Sequence, residues 1–298
     1  MHTVAADITN TVLPSDCPLC DAPLIGLSRT GVCESCVARL GPGAASAQDV
    51  LCTRCGDALG MESARFAAAM GATECTQCRL APPAFTRAVA FATYDHEMRE
   101  MLHLLKFDGR RRMAQAILGE RLAQAILQLQ PGAASELLVV PVPLFVERER
   151  QRGFNQSQLL AKAALESLRR AAPVWRLRLR GDVLQRVKDT RPLYSLDPGQ
   201  RRRALIGAFR IADAQAETLR GREVLLIDDI MTTGATARAC SGVLLRAGAA
   251  KVWVATVARA QPEAPSAAAQ HEPYDVALWS APARTRVHEP DIGKRIRF

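Results

Sequence analysis

The sequence predicts an α/β domain built on a mostly parallel β-sheet flanked by helices, preceded by a small cysteine-ligated module. Three observations carry that expectation. Eight of the nine cysteines fall within residues 17–78. From residue 88 onward, apolar runs of strand length alternate with stretches of helical spacing. One of those strands, in "VLLIDDIMTTGAT" (Val224 to Thr236), ends in two adjacent carboxylates and then turns through threonines and a glycine.

The chain of 298 residues, 48% hydrophobic and 23% charged, has ordinary globular composition and room for one large core or two unequal domains. It contains no uncharged apolar run of about 18 residues, so no membrane span is expected. The start, "MHTVAADITNTVLPSD", has neither a basic nor an apolar signal region, which predicts a cytoplasmic protein. The formal charge of +9 is carried by 34 arginines against 5 lysines. A genome-wide bias toward arginine and alanine explains the total as well as a function does, so placement must decide. Arg110 to Arg112, the trio Arg148, Arg150 and Arg152, and Arg201 to Arg203 cluster between residues 100 and 210. That clustering favours a polyanionic partner over scattered solvation.

The cysteines form four C-x-x-C pairs: Cys17/Cys20, Cys33/Cys36, Cys52/Cys55 and Cys75/Cys78. A two-residue spacer lets two thiolates face one ion from a tight turn, and two pairs complete a tetrahedral site. Disulfides fit poorly in a reducing compartment. Eight ligands suffice for two structural Zn2+ ions. Pairing first with second and third with fourth resembles tandem zinc ribbons; interleaved pairing is the alternative. Folding of residues 1–80 should then depend on metal. Between Cys17 and Cys78 there are four arginines, no lysine and one aromatic, Phe66, a weak nucleic-acid footprint. Cys240 shares an apolar helical face with Val243, Leu244 and Ala247 and reads as a core thiol.

After the linker "RLAPPAF", the second domain is expected over residues 85–298. "AVAFATY" (88–94) reads as a strand, and the next helix, with Met98, Met101, Leu102 and Leu105 on one face, ends at Gly109. "MAQAILGERLAQAILQL" is a helix stopping before Pro131, and "ELLVVPVP" a strand ended by prolines. Residues 155–170 form a helix that starts at Asn155; 223–228 form a strand, "TARACSGVLLRAG" a helix, and "KVWVATVAR" another strand. A last strand is expected at "YDVALW" in the tail, which ends in the basic "GKRIRF".

In such sheets ligands sit at the carboxyl ends of strands, where helix N-termini present N–H groups to anions. Asp228 and Asp229 emerge there, followed by Thr232, Thr233, Gly234, Ala235 and Thr236. Small residues let the backbone wrap a phosphate, and threonine hydroxyls add donors. Carboxylates would repel that phosphate but suit vicinal hydroxyls, so the chemistry points to a ribose 5-phosphate unit. The bland alternative is a strand-turn-helix with two capping aspartates.

"VLLIDDIMTTGAT" resembles the 5-phosphoribosyl-1-pyrophosphate (PRPP) signature of type I phosphoribosyltransferases. With the C-x-x-C pairs, "LLKFDGR" (104–110), "VVPVPL" (139–144), "RERQRGFNQSQLLA" (148–161), "RVKDT" and "QRRRALIGAF", the chain resembles the competence protein ComF family over roughly residues 17–260. The resemblance implies a type I phosphoribosyltransferase-like sheet behind two zinc ribbons, with a mobile hood loop at about 186–209. By it, Asp228 and Asp229 contact the ribose hydroxyls and residues 232–236 the 5-phosphate. Lys106, Arg148, Arg152 and Asn155 line the pyrophosphate side, where Mg2+ enters with PRPP. Leu193 and Ala204 stand where the family pattern has glutamine and asparagine, which weakens turnover more than binding.

Three functions follow from the resemblance. The first is a DNA-uptake protein of natural transformation that binds a phosphoribosyl ligand, single-stranded DNA or both, with other DNA-uptake proteins as partners. The alternatives are an active phosphoribosyltransferase with an unidentified acceptor, and a PRPP-sensing regulatory protein. With 14 aromatic residues in the chain, stacking platforms for single strands are few.

Overall fold

The computed structural model describes residues 16–24, 31–41, 50–60, 64–65, 69, 71, 73–107, 111–190, 198–212 and 215–260, all within one compact unit, Met1–Gln261. The tail after Ala260 with its expected strand, Gly109, Arg110, Phe66 and Leu193 lie outside the described residues. No described helix is long and apolar enough to cross a membrane.

Five parallel strands form the central sheet. They are β1 (Arg87–Thr93), β2 (Glu136–Pro141), β3 (Arg176–Leu179), β6 (Glu223–Met231) and β7 (Lys251–Arg259), in the order β1-β7-β6-β2-β3. A small antiparallel pair, β4 (Leu184–Arg186) with β5 (Phe209–Ile211), stands apart from it. Two short helices, α1 (Glu34–Arg39) and α2 (Thr76–Leu80), belong to the cysteine module. Helices α3 (His96–Phe107) and α4 (Arg111–Leu127) follow β1; α5 (Val146–Arg152) and α6 (Gln156–Ala171) follow β2. Next come α7 (Pro198–Ala204) and α8 (Ala216–Leu219), and α9 (Ala235–Arg246) joins β6 to β7.

The central stretches of β2, β6 and β7 are apolar because both faces are covered. Leu137, Val139, Leu225, Ile227, Trp253 and Ala255 pack into one layer with α3, α4 and α6. Their neighbours Leu138, Val140, Val224, Leu226, Val252 and Val254 pack into the other, with Cys240 and Leu244 of α9. Met98, Met101, Leu102 and Leu105 are all buried, as the helical spacing requires, and so is Cys240. The cysteine module divides between the layers. Cys17, Val32, Cys36 and Leu40 join the first, while Cys52, Cys55, Leu59 and Cys78 join the second. It also covers the β1 edge, where the Ala88 N–H donates to the Arg54 carbonyl at 2.8 Å.

Several boundaries differ from the sequence expectation. Arg111 and Arg112 lie inside α4, β6 continues past the acids to Met231, and β3, β4, β5 and α5 were not anticipated. These strands run three or four residues and are half-exposed, too short for periodicity to register.

Helices α4 and α6 cross closely at Gly119, where an added Cβ would lie 2.3 Å from the Ala163 Cβ. Alanine normally favours a helix over glycine by about 1 kcal/mol. Here overpacking, at about 1–3 kcal/mol, is expected to win. Gly119→Ala should lower the urea midpoint without changing its slope; a higher midpoint would show that the crossing is loose.

Candidate functional site

The strand order creates a switch point between β2 and β6. From β2 the chain moves outward to β3, and from β6 it moves the other way to β7, leaving a crevice beyond their carboxyl ends. The "VLLIDDIMTTGAT" segment fills one wall of it. After Met231 the chain turns through Thr232, Thr233 and Gly234 into α9. Gly234 has φ 71°, and a Cβ there would also meet the Met231 methyl at 2.9 Å, so only glycine fits. The first turn of α9 leaves N–H groups without intrahelical acceptors facing the crevice mouth. The Thr233 hydroxyl is buried with no hydrogen-bond partner among the described residues. Arg201 of α7 donates to the Thr232 Oγ1 at 3.3 Å. A cavity of about 40 Å³ lies between them, lined by Asp228, Thr232 to Thr236 and Arg201. That is phosphate scale, far below the ~300–1,000 Å³ of pockets that enclose whole ligands.

The two acids differ in environment. Asp228 lines the cavity, and its Oδ1 accepts from the Ser157 hydroxyl and the Asp229 N–H, both at 3.0 Å. Burial, then the neighbouring Asp229 charge, pushes its carboxyl well above the usual range. Asp229 is buried, and its Oδ2 lies 2.5 Å from the Lys106 ammonium at the end of α3. Burial would raise Asp229 too, but the Lys106 charge and hydrogen bond outweigh it and hold the carboxyl low. The two carboxyls therefore titrate as a coupled pair, with Lys106 favouring negative charge on Asp229. Lys106, assigned to the pyrophosphate side from sequence, sits on this acid instead of in open solvent.

The "RGFN" turn joins α5 to α6. Gly153 caps α5 in the left-handed region, φ 77°. Asn155 caps α6, its Oδ1 accepting from the Ser157 N–H at 2.9 Å, while its Nδ2 donates to the Val142 carbonyl at 3.0 Å. The Asn155 amide is thereby committed to bracing the "VVPVPL" turn. Arg152 donates to Gln156 Oε1 at 2.7 Å; burial lowers its pKa, and the Asp229 charge works against that. Arg148 reaches Thr190 O at 3.0 Å and Asp189 at 3.7 Å. Arg186 also bonds Thr190, through its hydroxyl, and its own Nε is buried without a partner among the described residues. Burial again lowers the Arg186 pKa, yet a guanidinium stays charged, so cations flank the crevice. Ser157 was not singled out by sequence; Arg186 entered only within "RVKDT" and Arg201 only within an arginine cluster. Ser157 meets its acid 71 positions away, a contact no local spacing encodes.

Cys17, Cys20, Cys33 and Cys36 form one cluster, and Cys52, Cys55, Cys75 and Cys78 the other, so pairing is sequential. Within each, all sulfurs lie within 4.8 Å of one another. Tetrahedral zinc with 2.3 Å bonds spaces thiolates by roughly 3.8 Å. Cys20 and Cys33 are 3.6 Å apart, Cys55 and Cys75 3.7 Å. Backbone N–H groups also point at sulfur, from Cys33 to Cys17 at 3.5 Å and from Cys75 to Cys52 at 3.2 Å. Each cluster could hold one metal ion.

No family model matches the chain. The DNA utilization protein YhgH of Salmonella typhimurium is 32% identical over 244 residues, covering 81% of this chain and 96% of that protein. Competence protein F of Haemophilus influenzae is 30% identical over 194 residues, covering 63% and 80%. Among solved structures, TT1426 from Thermus thermophilus overlaps 52% of this chain and 86% of its own, at 19% identity and a TM-score of 0.27. Sheet order and strand-end loop define a type I phosphoribosyltransferase-like α/β protein carrying two four-cysteine clusters. The chain belongs to the ComF family of competence proteins.

Breaking the Lys106–Asp229 pair from one side strands a buried carboxylate. Lys106→Met should cost about 3–5 kcal/mol at neutral pH, and Lys106→Met/Asp229→Asn should recover most of it in denaturant titrations. Asp228 has the opposite sign. A carboxyl raised by folding contributes stability at low pH that is lost as pH rises through its folded value. Asp228→Asn should therefore gain on the parent protein as pH rises, and a stability difference independent of pH would contradict the assignment.

Proposed function

We propose that this protein serves DNA uptake, a reading supported by relatives named for DNA utilization and for competence, and that its strand-end crevice takes the ribose 5-phosphate group of PRPP, with the phosphates of a single DNA strand as the further ligand. The observation that carries the reading is the phosphate-sized cavity itself. It is collared by Thr232 to Thr236, contains a buried hydroxyl at Thr233 with no partner among the described residues, and has Asp228 at its rim. The 5-phosphate would seat against the first turn of α9, with Arg201 on its outer side. The ribose would then extend toward Asp228, whose carboxyl accepts from vicinal hydroxyls once Ser157 shares it. Asp229 acts behind it, with Lys106 holding its charge in place.

The two four-cysteine clusters are proposed to hold one structural Zn2+ each. Mg2+ is proposed to arrive with the pyrophosphate. Asp228 is hydrogen-bonded to Ser157 and Asp229 is paired with Lys106, which favours an ion carried by the ligand over one held by these acids. The proposed location is the cytoplasm.

A second reading, an active phosphoribosyltransferase, is favoured by one feature: Arg152 lies half-buried beside the Asp229 charge, where a leaving pyrophosphate would need a cation. Positioning and electrostatic neutralisation are all that displacement at the anomeric carbon asks of the protein.

Calorimetry with PRPP and Mg2+ on the zinc-loaded protein tests the crevice. Saturable binding lost in Asp228→Ala/Asp229→Ala supports it, and no binding at millimolar PRPP counts against it. Pyrophosphate release that Asp229→Asn abolishes would establish turnover. Single-strand affinity should fall steeply with salt if phosphates are the contacts.

A further inference from the structure

Arg259, the last residue of β7, has 6% of its surface exposed. Its backbone is fixed from both sides, in register with Thr93 of β1 and Met231 of β6, and its carbonyl accepts from the Tyr94 N–H at 2.8 Å. The side chain is buried at this fixed point of the sheet. One guanidinium nitrogen, Nη2, lies 3.3 Å from Asp57 Oδ1 and 4.0 Å from the Cys55 sulfur. The other two nitrogens, Nε and Nη1, are buried with no hydrogen-bond partner among the described residues.

A buried cation with one carboxylate partner and two orphaned N–H groups is a costly arrangement. It becomes favourable if more negative charge resides nearby. Four thiolates on one divalent cation leave two net negative charges, and the second cluster sits beside this guanidinium. The first cluster is served differently. Arg39 donates to Cys36 Sγ at 2.9 Å, but it comes from the next turn of the same short helix, is 49% exposed and is shared with Glu97. Solvent can balance the first centre; beside the second, the sheet brings Arg259.

We propose that Arg259 is the charge-balancing residue of the second four-cysteine metal centre, supplied across the fold from the carboxyl end of β7. This rests on the zinc assignment made above. Its consequence is that loading this metal and securing the end of the sheet are one event. Met231, the register partner of Arg259, is followed directly by Thr232 of the candidate phosphate loop. The metal centre thereby stiffens the wall on which that loop is hung.

The test is zinc transfer to a chromophoric chelator from the full, zinc-loaded chain, with Cys75→Ser identifying which phase belongs to the second cluster. Outer contacts to metal ligands typically change affinity 10- to 100-fold. Arg259→Leu should weaken the second phase by about that factor and leave the first within about threefold. Arg259→Lys should fall between, and Arg39→Leu should leave the second phase unchanged. Should Arg259→Leu fail to fold, Arg259→Gln removes the charge while keeping a polar, shorter side chain, and about tenfold weakening is expected. Parental affinity in a folded Leu or Gln variant overturns the proposal while leaving the zinc assignment intact. A parent protein that takes up no metal at the second cluster overturns both.

Discussion

A buried strand that must end in two adjacent carboxylates is the constraint around which this fold is arranged. Val224 to Ile227 are fully buried, so the chain arrives at Asp228 and Asp229 already inside the protein. Two ionised acids cannot coexist there without compensation. The structure supplies it asymmetrically. Lys106 comes from the end of α3 to hold the charge on Asp229, and Ser157 comes from the start of α6 to hydrogen-bond Asp228. The helices that follow β1 and β2 are thus tied at the crevice by polar contacts, while apolar packing holds them along the rest of the sheet.

That arrangement leaves the crevice closed down to phosphate size. The acids are occupied, Arg201 lies against Thr232, and Arg148 and Arg186 both hold Thr190. A ligand would enter by exchanging these internal partners for its own oxygens. Such exchanges would keep those donors satisfied, while the Thr233 hydroxyl and Arg186 Nε, buried without a partner among the described residues, would gain one. The cysteine module contributes from the opposite edge. It feeds one cluster into each apolar layer and closes β1 against further strand pairing. It behaves as part of the wall, more than as an appended bead.

The "RGFN" turn shows how local chemistry and function can share residues. Its glycine and asparagine do what glycine and asparagine do at any helix boundary. Yet the asparagine's remaining hydrogen bond, to Val142, holds the turn at the carboxyl end of β2 in place, across the crevice from the candidate phosphate loop. Two helix ends meet there, at the site. That does not require the asparagine to touch a ligand.

Much was legible from sequence because it depends on neighbours in the chain. The C-x-x-C spacers, the apolar stripe of α3, the Asn155 cap and the strand-turn-helix around Asp228 are local patterns with local physical causes. The short strands β3 to β5 were not legible, since half-exposed segments of three or four residues carry no periodicity. The choice of Lys106 for Asp229 and of Ser157 for Asp228 was made by the tertiary structure, as was the placing of Arg259 against the second cluster. Each joins residues far apart in sequence whose pairing is set by burial. A charge taken out of water must find its counter-charge wherever the fold happens to bring one, and no spacing rule along the chain records where that will be.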